Sequence, residues 1–292
     1  MAHKSGFVNI IGKPNVGKST LMNAMVGEKL SIITSKAQTT RHRIHGIVNT
    51  PEYQVVFSDT PGILEPEYKL QETMLKAARS ALTDADVLLY LTEPGMQPDP
   101  ENDFVKRLAR SRVPVLLVIN KIDLSSQEEV MGTIEKWDGV LPKAEKIPVS
   151  ALTKFNVDRV YKKILELLPE SPPYFDKDAL TDKSERFLAG EMIREKILML
   201  YKQEIPYAVE VEISSFKEGP ELIRISAVIY VEREGQKGIL IGNEGKALKR
   251  VGMKARKDME TFFAKKVFLE MNVKVRKDWR SNDRQIKNFG YH

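Results

Sequence analysis

Gly12-Lys13-Pro14-Asn15-Val16-Gly17-Lys18-Ser19-Thr20 places two glycines, a lysine and a hydroxyl pair at a spacing that suits a chain of phosphates. Glycines allow backbone N–H groups to curl around an anion, Lys18 can bridge β- and γ-phosphate oxygens, and the Ser19 hydroxyl can ligate Mg²⁺. A glycine-rich turn can also be merely structural. Here the apolar run Phe7-Val8-Asn9-Ile10-Ile11 precedes it and a helix is predicted from Lys18 to Met25, so the helix N-terminus aims partial positive charge at the anion. The pattern implies binding of a nucleoside triphosphate.

A second group of residues suits one base. Asn120-Lys121-Ile122-Asp123 follows Pro114-Val115-Leu116-Leu117-Val118-Ile119, a continuous apolar run that reads as a strand buried on both faces. Ligand loops gather at the carboxyl ends of such strands. There Asp123 can accept from the ring N–H and exocyclic amine of guanine, a donor pair adenine lacks; Asn120 can bond another base edge, and the Lys121 stem can lie over the ring. Ser150-Ala151, after Lys146-Ile147-Pro148-Val149, is expected to close the pocket with a backbone N–H.

Asp59-Thr60-Pro61-Gly62 ends a third apolar run, Tyr53-Gln54-Val55-Val56-Phe57. A carboxylate at a strand end can hold Mg²⁺ through water, and the Gly62 N–H can face the γ-phosphate on a loop that rearranges when that phosphate leaves. The polar stretch Ser35-Lys36-Ala37-Gln38-Thr39-Thr40-Arg41-His42-Arg43 has no regular period and reads as a mobile loop whose threonine completes the Mg²⁺ shell. Thr40 is the expected ligand beside Ser19 and Asp59, with Thr39 the neighbouring alternative.

These five elements must sit on one edge of a sheet, and their order resembles the translation-factor-like GTPases. That resemblance implies an α/β fold, a mostly parallel sheet with helices on both faces, over residues 1–170. The last helix of this unit carries Val157, Val160, Ile164, Leu167 and Leu168 on one face and stops at Pro169. Pro169-Glu170-Ser171-Pro172-Pro173 and the acid-rich stretch to Lys183 disfavour helix, which predicts a linker over 171–183 and a second domain over 184–292.

The 292 residues suit about two domains. Without cysteine there are neither disulfides nor thiolate metal sites. Met1-Ala2-His3-Lys4-Ser5-Gly6 leads straight into the first strand, so no signal peptide is expected, and the apolar runs are strand-sized, far short of the roughly 20 residues that span a bilayer. Lys and Arg balance Asp and Glu over 1–170 (22 against 21) but outnumber them 15 to 6 over 237–292. That concentration points to a polyanion, a nucleic acid or an anionic membrane surface.

The C-terminal pattern favours nucleic acid. An amphipathic helix is predicted over Glu185 to Glu204, then strands Val209 to Ile213 and Ile223 to Val231, a helix to about Phe263 and a last strand Val267 to Val275. Between them Gly238-Ile239-Leu240-Ile241-Gly242-Asn243-Glu244-Gly245-Lys246 feeds the long helix. This order resembles a KH domain of the bacterial type (type II, a smaller α+β fold), with Gly242 to Gly245 as its GXXG loop. The resemblance implies that the loop grips about four single-stranded nucleotides, with Ile239, Ile241, Asn243, Lys246, Lys249 and Arg250 around it. Lys246, Lys249, Arg250, Lys254 and Lys257 recur at helical spacing opposite a buried stripe of Leu248, Val251, Ala255 and Met259. Glu244 departs from the family, where the loop centre is often basic.

A GTPase domain followed by a KH domain resembles the bacterial KH-domain GTPases of small ribosomal subunit assembly, with Lys36 to Arg43, Glu204 to Tyr207 and Val275 to Arg280 as further signatures. That implies a monomeric GTP-timed switch, GTP and GDP as ligands, the 3′ end of 16S ribosomal RNA and the small subunit as partners, and a cytoplasmic place with peripheral membrane association. A GTPase working chiefly on anionic lipid is the alternative; a small-molecule phosphotransferase is disfavoured by the guanine-selecting residues. Lys18, Thr40, Gly62 and Asn15 are the expected catalytic set. Ile63 stands where many GTPases place a water-orienting glutamine, so hydrolysis should be slow. Asn15 occupies the position at which potassium-activated GTPases hold K⁺ beside the phosphates, which adds K⁺ to Mg²⁺ as a candidate cofactor.

Overall fold

The computed structural model describes residues 2–291 and separates into two compact units. The first comprises the chain up to Ser31 with Thr40–Glu65 and Met74–Asp182; the second comprises Ile32–Thr39, Pro66–Thr73 and the chain from Lys183 onward. Two short stretches of the N-terminal sequence thus pack with the C-terminal unit, a division that sequence order did not suggest.

In chain order the first unit is built from β1 (Lys4–Gly12), α1 (Lys18–Val26), β2 (Ile44–Asn49), β3 (Tyr53–Asp59), α2 (Lys69–Ser80, whose first turn counts with the second unit), β4 (Val87–Thr92), α3 (Asp103–Ala109), β5 (Val115–Ile119), α4 (Gln127–Asp138), β6 (Glu145–Pro148) and α5 (Val157–Leu167). Its sheet runs β2-β3-β1-β4-β5-β6; only β2 pairs antiparallel. Val8, Ile10, Val55 to Phe57, Leu89 and Leu117 to Ile119 have no solvent exposure, as helices on both faces of a parallel sheet require. Register aligns the carboxyl ends: Ile10 faces Asp59, Gly12 faces Leu91, Thr92 faces Ile119, and Ile119 faces Pro148. Every sequence-predicted loop of this unit therefore leaves from one edge, where such sheets bind ligands.

The stretch predicted as a linker over 171–183 is ordered along its length to Asp182. The fully buried Gln54 side chain accepts from the Tyr174 and Phe175 N–H groups (2.7 and 3.0 Å) and donates to the Phe175 carbonyl (2.8 Å). Ile47 N–H donates to Leu180 O at 2.9 Å, and Thr181 bridges Gly46. Proline excludes helix here, yet the backbone groups find partners beside β2 and β3.

The second unit continues with α6 (Glu185–Leu200), α7 (Ile205–Ala208), β7 (Glu210–Glu218), β8 (Leu222–Val231), α8 (Glu234–Ile241), α9 (Lys246–Phe263), β9 (Lys266–Val275) and α10 (Asp283–Asn288). Its sheet is β7-β8-β9, antiparallel then parallel. Ile193, Ile197, Ile225, Ile229, Val251, Ala255 and Met259 form the core between α6, α9 and the sheet. Leu248 is partly buried at its margin. The helix predicted to Glu204 stops four residues early: Tyr201 is extended, its hydroxyl donates to Leu240 O (2.7 Å), and Pro206 sits in the first turn of α7. Trp279 is fully buried, with its indole N–H on Ala208 O at 2.9 Å, so it is a packing residue.

Candidate functional site

Glycine is required twice in the phosphate loop for reasons of space. Gly12 and Gly17 have φ of +157° and +94°, and a side chain would meet Leu91 O and Asn120 Nδ2 at 2.5 and 2.1 Å. Asn15 adopts φ +64°, a left-handed conformation that Asn tolerates better than most residues, and it is exposed, as is Lys13, with Pro14 half-buried beside them. Val16 is fully buried and anchors the turn. Lys18 lies in the loop, its ammonium donating to the carbonyls of Lys13 (2.8 Å) and Gly12 (3.1 Å). Burial pulls its pKa down to about 8 against the opposing charge of Asp59. Ser19 and Thr20 follow in the first turn of α1.

Three oxygens from distant segments converge here. Ser19 Oγ donates to Asp59 Oδ2 at 2.6 Å; Thr40 Oγ1 lies 2.9 Å from Ser19 Oγ and 3.2 Å from Asp59 Oδ2. Asp59 is fully buried, and burial raises its pKa while Ser19, Lys18, Ser31 and Thr40 pull it back. Its Oδ1 has no hydrogen-bond partner among the described residues. A hydroxyl pair beside a buried carboxylate with a spare oxygen fits a hard divalent cation such as Mg²⁺. The Thr39 hydroxyl is turned to Thr34 Oγ1 and Lys36 O, both at 2.6 Å.

Thr60 Oγ1 donates to Ile10 O (2.7 Å), and Pro61 is buried, so both fix the path of the chain after β3. A side chain on Gly62 would lie 2.8 Å from Pro14, so glycine permits the two loops to touch. Ile63 N–H donates to Gly12 O at 3.1 Å, and its side chain packs on the core of α3, α4 and β4.

At the guanine end Asn120 Nδ2 donates to Val16 O (2.8 Å) and Oδ1 accepts from Ala151 N–H (2.9 Å), with Asn120 only 2% exposed. It fastens three loops together. The Ala151 N–H expected at the pocket is thereby used, and Ser150 N–H donates to Phe155 O. Asp123 is exposed in a short 3₁₀ turn (Ile122–Leu124), with no hydrogen-bond or ion-pair partner among the described residues. Lys121, at φ +64°, pairs with Glu93 at 2.5 Å. Sequence reasoning missed Glu93, whose signal was a carboxylate directly after a buried strand.

In the second unit, α8 and α9 flank the GXXG loop. Gly242 has φ +72°, and a side chain there would lie 2.5 Å from Ala247 Cβ; Gly245 has φ +73° but faces open space. Ile239 is 54% exposed and Ile241 half-buried. Asn243, Lys246, Lys249 and Arg250 are exposed or half-buried around the loop. Glu244 pairs with Lys246 at 2.7 Å, so the acidic departure from the family is neutralised by its neighbour. The surface that results is apolar, glycine-lined and basic, suited to a nucleic-acid backbone with unstacked bases.

Asp123→Asn should move base preference from guanine toward xanthine in a competition assay, whereas Asn120→Ala should weaken both nucleotides alike by about 1–3 kcal/mol, since it leaves Val16 O and Ala151 N–H unpaired. Gly242→Asp should abolish binding of a short single-stranded RNA and Gly245→Asn should largely keep it. Glu244→Lys should tighten that binding and steepen its salt dependence by about 0.7 in log–log slope for each additional phosphate neutralised.

A family described as 50S ribosome-binding GTPase matches residues 7–121, and the KH domain family matches 204–280. The chain is 47% identical to GTPase Era of Geotalea daltonii, covering 98% of this chain and 97% of that one, and 48% identical to GTPase Era of Syntrophus aciditrophicus, covering 99% and 95%. Among solved structures it resembles Era in complex with MgGDPNP and nucleotides 1506–1542 of 16S ribosomal RNA (TM-score 0.94, 40% identity, 99% of both chains). A tyrosine-to-alanine variant of Aquifex aeolicus Era bound to GDP and AlF4⁻ is equally similar. Matched over essentially its whole length, the chain belongs to the GTPase Era family.

Proposed function

We propose that this protein is a GTP-hydrolysing switch that binds the 3′ end of 16S ribosomal RNA through its KH domain and assists assembly of the small ribosomal subunit. The observation that supports it most is the full-length likeness to an Era bound at once to a GTP analogue and to that RNA segment. Both sets of binding residues this requires are present, the phosphate loop with its Ser19, Thr40 and Asp59 oxygens and the Gly242 to Gly245 loop with its basic helix. Crosslinking and sequencing of bound RNA should recover the 16S 3′ end, in amounts that differ between GTP and GDP; recovery of unrelated RNA in both states would overturn the reading.

In this reading Ser19, Thr40 and Asp59 would hold Mg²⁺. The ion, when bound, neutralises charge on the β- and γ-phosphates. Lys18 supplies a further positive charge, and the phosphates favour its protonated form. Gly62 offers a backbone N–H to the γ-phosphate, and loss of that phosphate frees the loop. Ile63 is apolar and packed on the core, so it orients no water, and intrinsic turnover is slow.

Asn15 supports a role for K⁺. Its side chain is solvent-exposed on a left-handed turn of the phosphate loop, where a monovalent cation beside it would offset charge developing between β- and γ-phosphate. Hydrolysis should be faster in KCl than in NaCl at equal ionic strength, and Asn15→Ala should erase the difference with little loss of GTP binding. Equal rates in the two salts for the unaltered protein would remove K⁺ from the mechanism.

A further inference from the structure

The carboxyl ends of the first unit's strands carry the phosphate and base residues; the opposite edge of the same sheet has a chemistry of its own. Register sets Leu88 against Val115 and Leu116 against Glu145, so the segments that enter β4, β5 and β6 emerge side by side. Two cavities of about 300 and 260 Å³ open among them. Leu108 and Leu141 wall the first, Leu82 and Leu88 wall the second, and Arg112 lines both. Lys143 borders the first cavity and Arg107 the second.

Residues 106–112 contain Lys106, Arg107, Arg110 and Arg112 and no acid. Lys106 is paired with Glu101 (2.6 Å), and with Arg107 it answers the negative end of α3. Arg112 and Lys143 lie outside that helix, so its dipole does not account for them. Arg107, Arg110, Arg112 and Lys143 are all exposed, and none has an ion-pair or side-chain hydrogen-bond partner among the described residues. The acids of the adjoining segments are engaged elsewhere: Asp84 with Arg43, Asp86 with the Phe7 N–H (2.7 Å), Asp138 with Lys146 and Glu145 with Lys163. The loop that carries the arginines is braced. Ser111 Oγ accepts from Val113 N–H (3.2 Å) and donates to Val113 O (2.9 Å), and Leu88 N–H donates to Pro114 O (2.9 Å). Cations without internal partners, on a backbone already held, are placed for an external anion.

We propose that this edge, with Arg107, Arg110, Arg112 and Lys143, takes the phosphate backbone of a double-helical RNA segment, as a nucleic-acid surface distinct from the GXXG loop. Three of the four cations are arginine, whose planar guanidinium presents paired N–H donors to phosphate oxygens. No aromatic side chain lines either cavity, so the edge offers no platform for stacking single-stranded bases, whereas duplex RNA is recognised through phosphates and shape. An anionic membrane calls for large apolar groups projecting beside the cations; here the leucines line cavities and are buried or half-buried. The choice of RNA among polyanions rests on the function proposed above, while the edge itself is independent of the GXXG loop.

The test uses the full chain carrying Gly242→Asp, which silences the GXXG loop, and measures binding of a blunt RNA hairpin by fluorescence anisotropy across a salt series. Arg107→Gln with Arg110→Gln and Arg112→Gln should weaken binding at low salt about tenfold or more and flatten the log–log salt slope by about 2 to 3, close to the value for three duplex phosphates. Arg112→Gln alone should flatten it by about a third as much. A matched loss of charge elsewhere in the same unit, Arg159→Gln with Lys162→Gln and Lys177→Gln, should change neither affinity nor slope, and GTP affinity should be unaltered throughout. Hairpin binding by the arginine variant equal to that of its parent, equal losses in the arginine variant and the matched variant, or a loss confined to phosphatidylglycerol vesicles would each overturn the proposal. A short single-stranded RNA keeps the two surfaces apart. If Gly242→Asp leaves its binding intact, the GXXG reading falls and the arginine result stands; if Gly242→Asp abolishes it while the arginine variant holds the hairpin as its parent does, only the duplex surface falls.

Discussion

The N-terminal unit depends on one electrostatic constraint, a carboxylate held out of water at the end of β3. Burial disfavours the ionised form of Asp59, and the hydroxyls of Ser19 and Thr40 and the ammonium of Lys18 oppose that penalty. Groups from three separate parts of the sequence must therefore meet at one place. Only a sheet whose strands end in register can bring them there. The β1 and β3 pairing sets Ile10 against Asp59, so the phosphate loop leaving β1 and the loop leaving β3 begin side by side, and Gly62 can come against Pro14 because it has no side chain. Asp59 Oδ1 is left without a hydrogen-bond partner among the described residues, which is where a divalent cation would complete the balance.

Much of this was legible in the chain because it rests on local rules. Continuous apolar runs bounded by glycine or polar turns marked the buried strands, and the loops after β1, β3, β5 and β6 lie at strand carboxyl ends, as expected. What stayed hidden depends on tertiary partners. Helix α8, directly before the GXXG loop, is too short to show a period, and its start is fixed by Gln236, whose side chain accepts from the backbone N–H groups of Glu232 and Arg233. The stretch 171–182 looked like free linker because proline and acid exclude helix, yet Gln54, distant in sequence, supplies its partners. Assignment of residues 32–39 to the C-terminal unit has no local signal, since it is decided by charges on α6.

Residue type also predicted place better than task. Asn120 is bonded to Val16 and Ala151, so besides any contact with a base it ties together the loops beside the exposed carboxylate of Asp123. The two loop glycines of the KH domain look equivalent in sequence. Gly242 answers both a backbone torsion and a steric limit set by Ala247, whereas Gly245 answers only the torsion.

Ile63 draws these points together. A residue directly after the Asp59 to Gly62 loop could reach an attacking water only if its side chain were polar and turned outward; here it is apolar and packed against the core, while its N–H is tied to Gly12 O. The same hydrogen bond fixes the loop to the phosphate loop, so geometry near the γ-phosphate is secured at the position where a water-orienting side chain is given up. On the function proposed above, stabilisation of the transition state would fall on fixed positive charge: Lys18, a metal at Ser19, Thr40 and Asp59, and a cation beside Asn15. A site of that design responds to anything that moves one oxygen of the metal shell. Of those oxygens, Thr40 sits on the least regular backbone, outside any helix or strand, whereas Ser19 lies in α1 and Asp59 in β3.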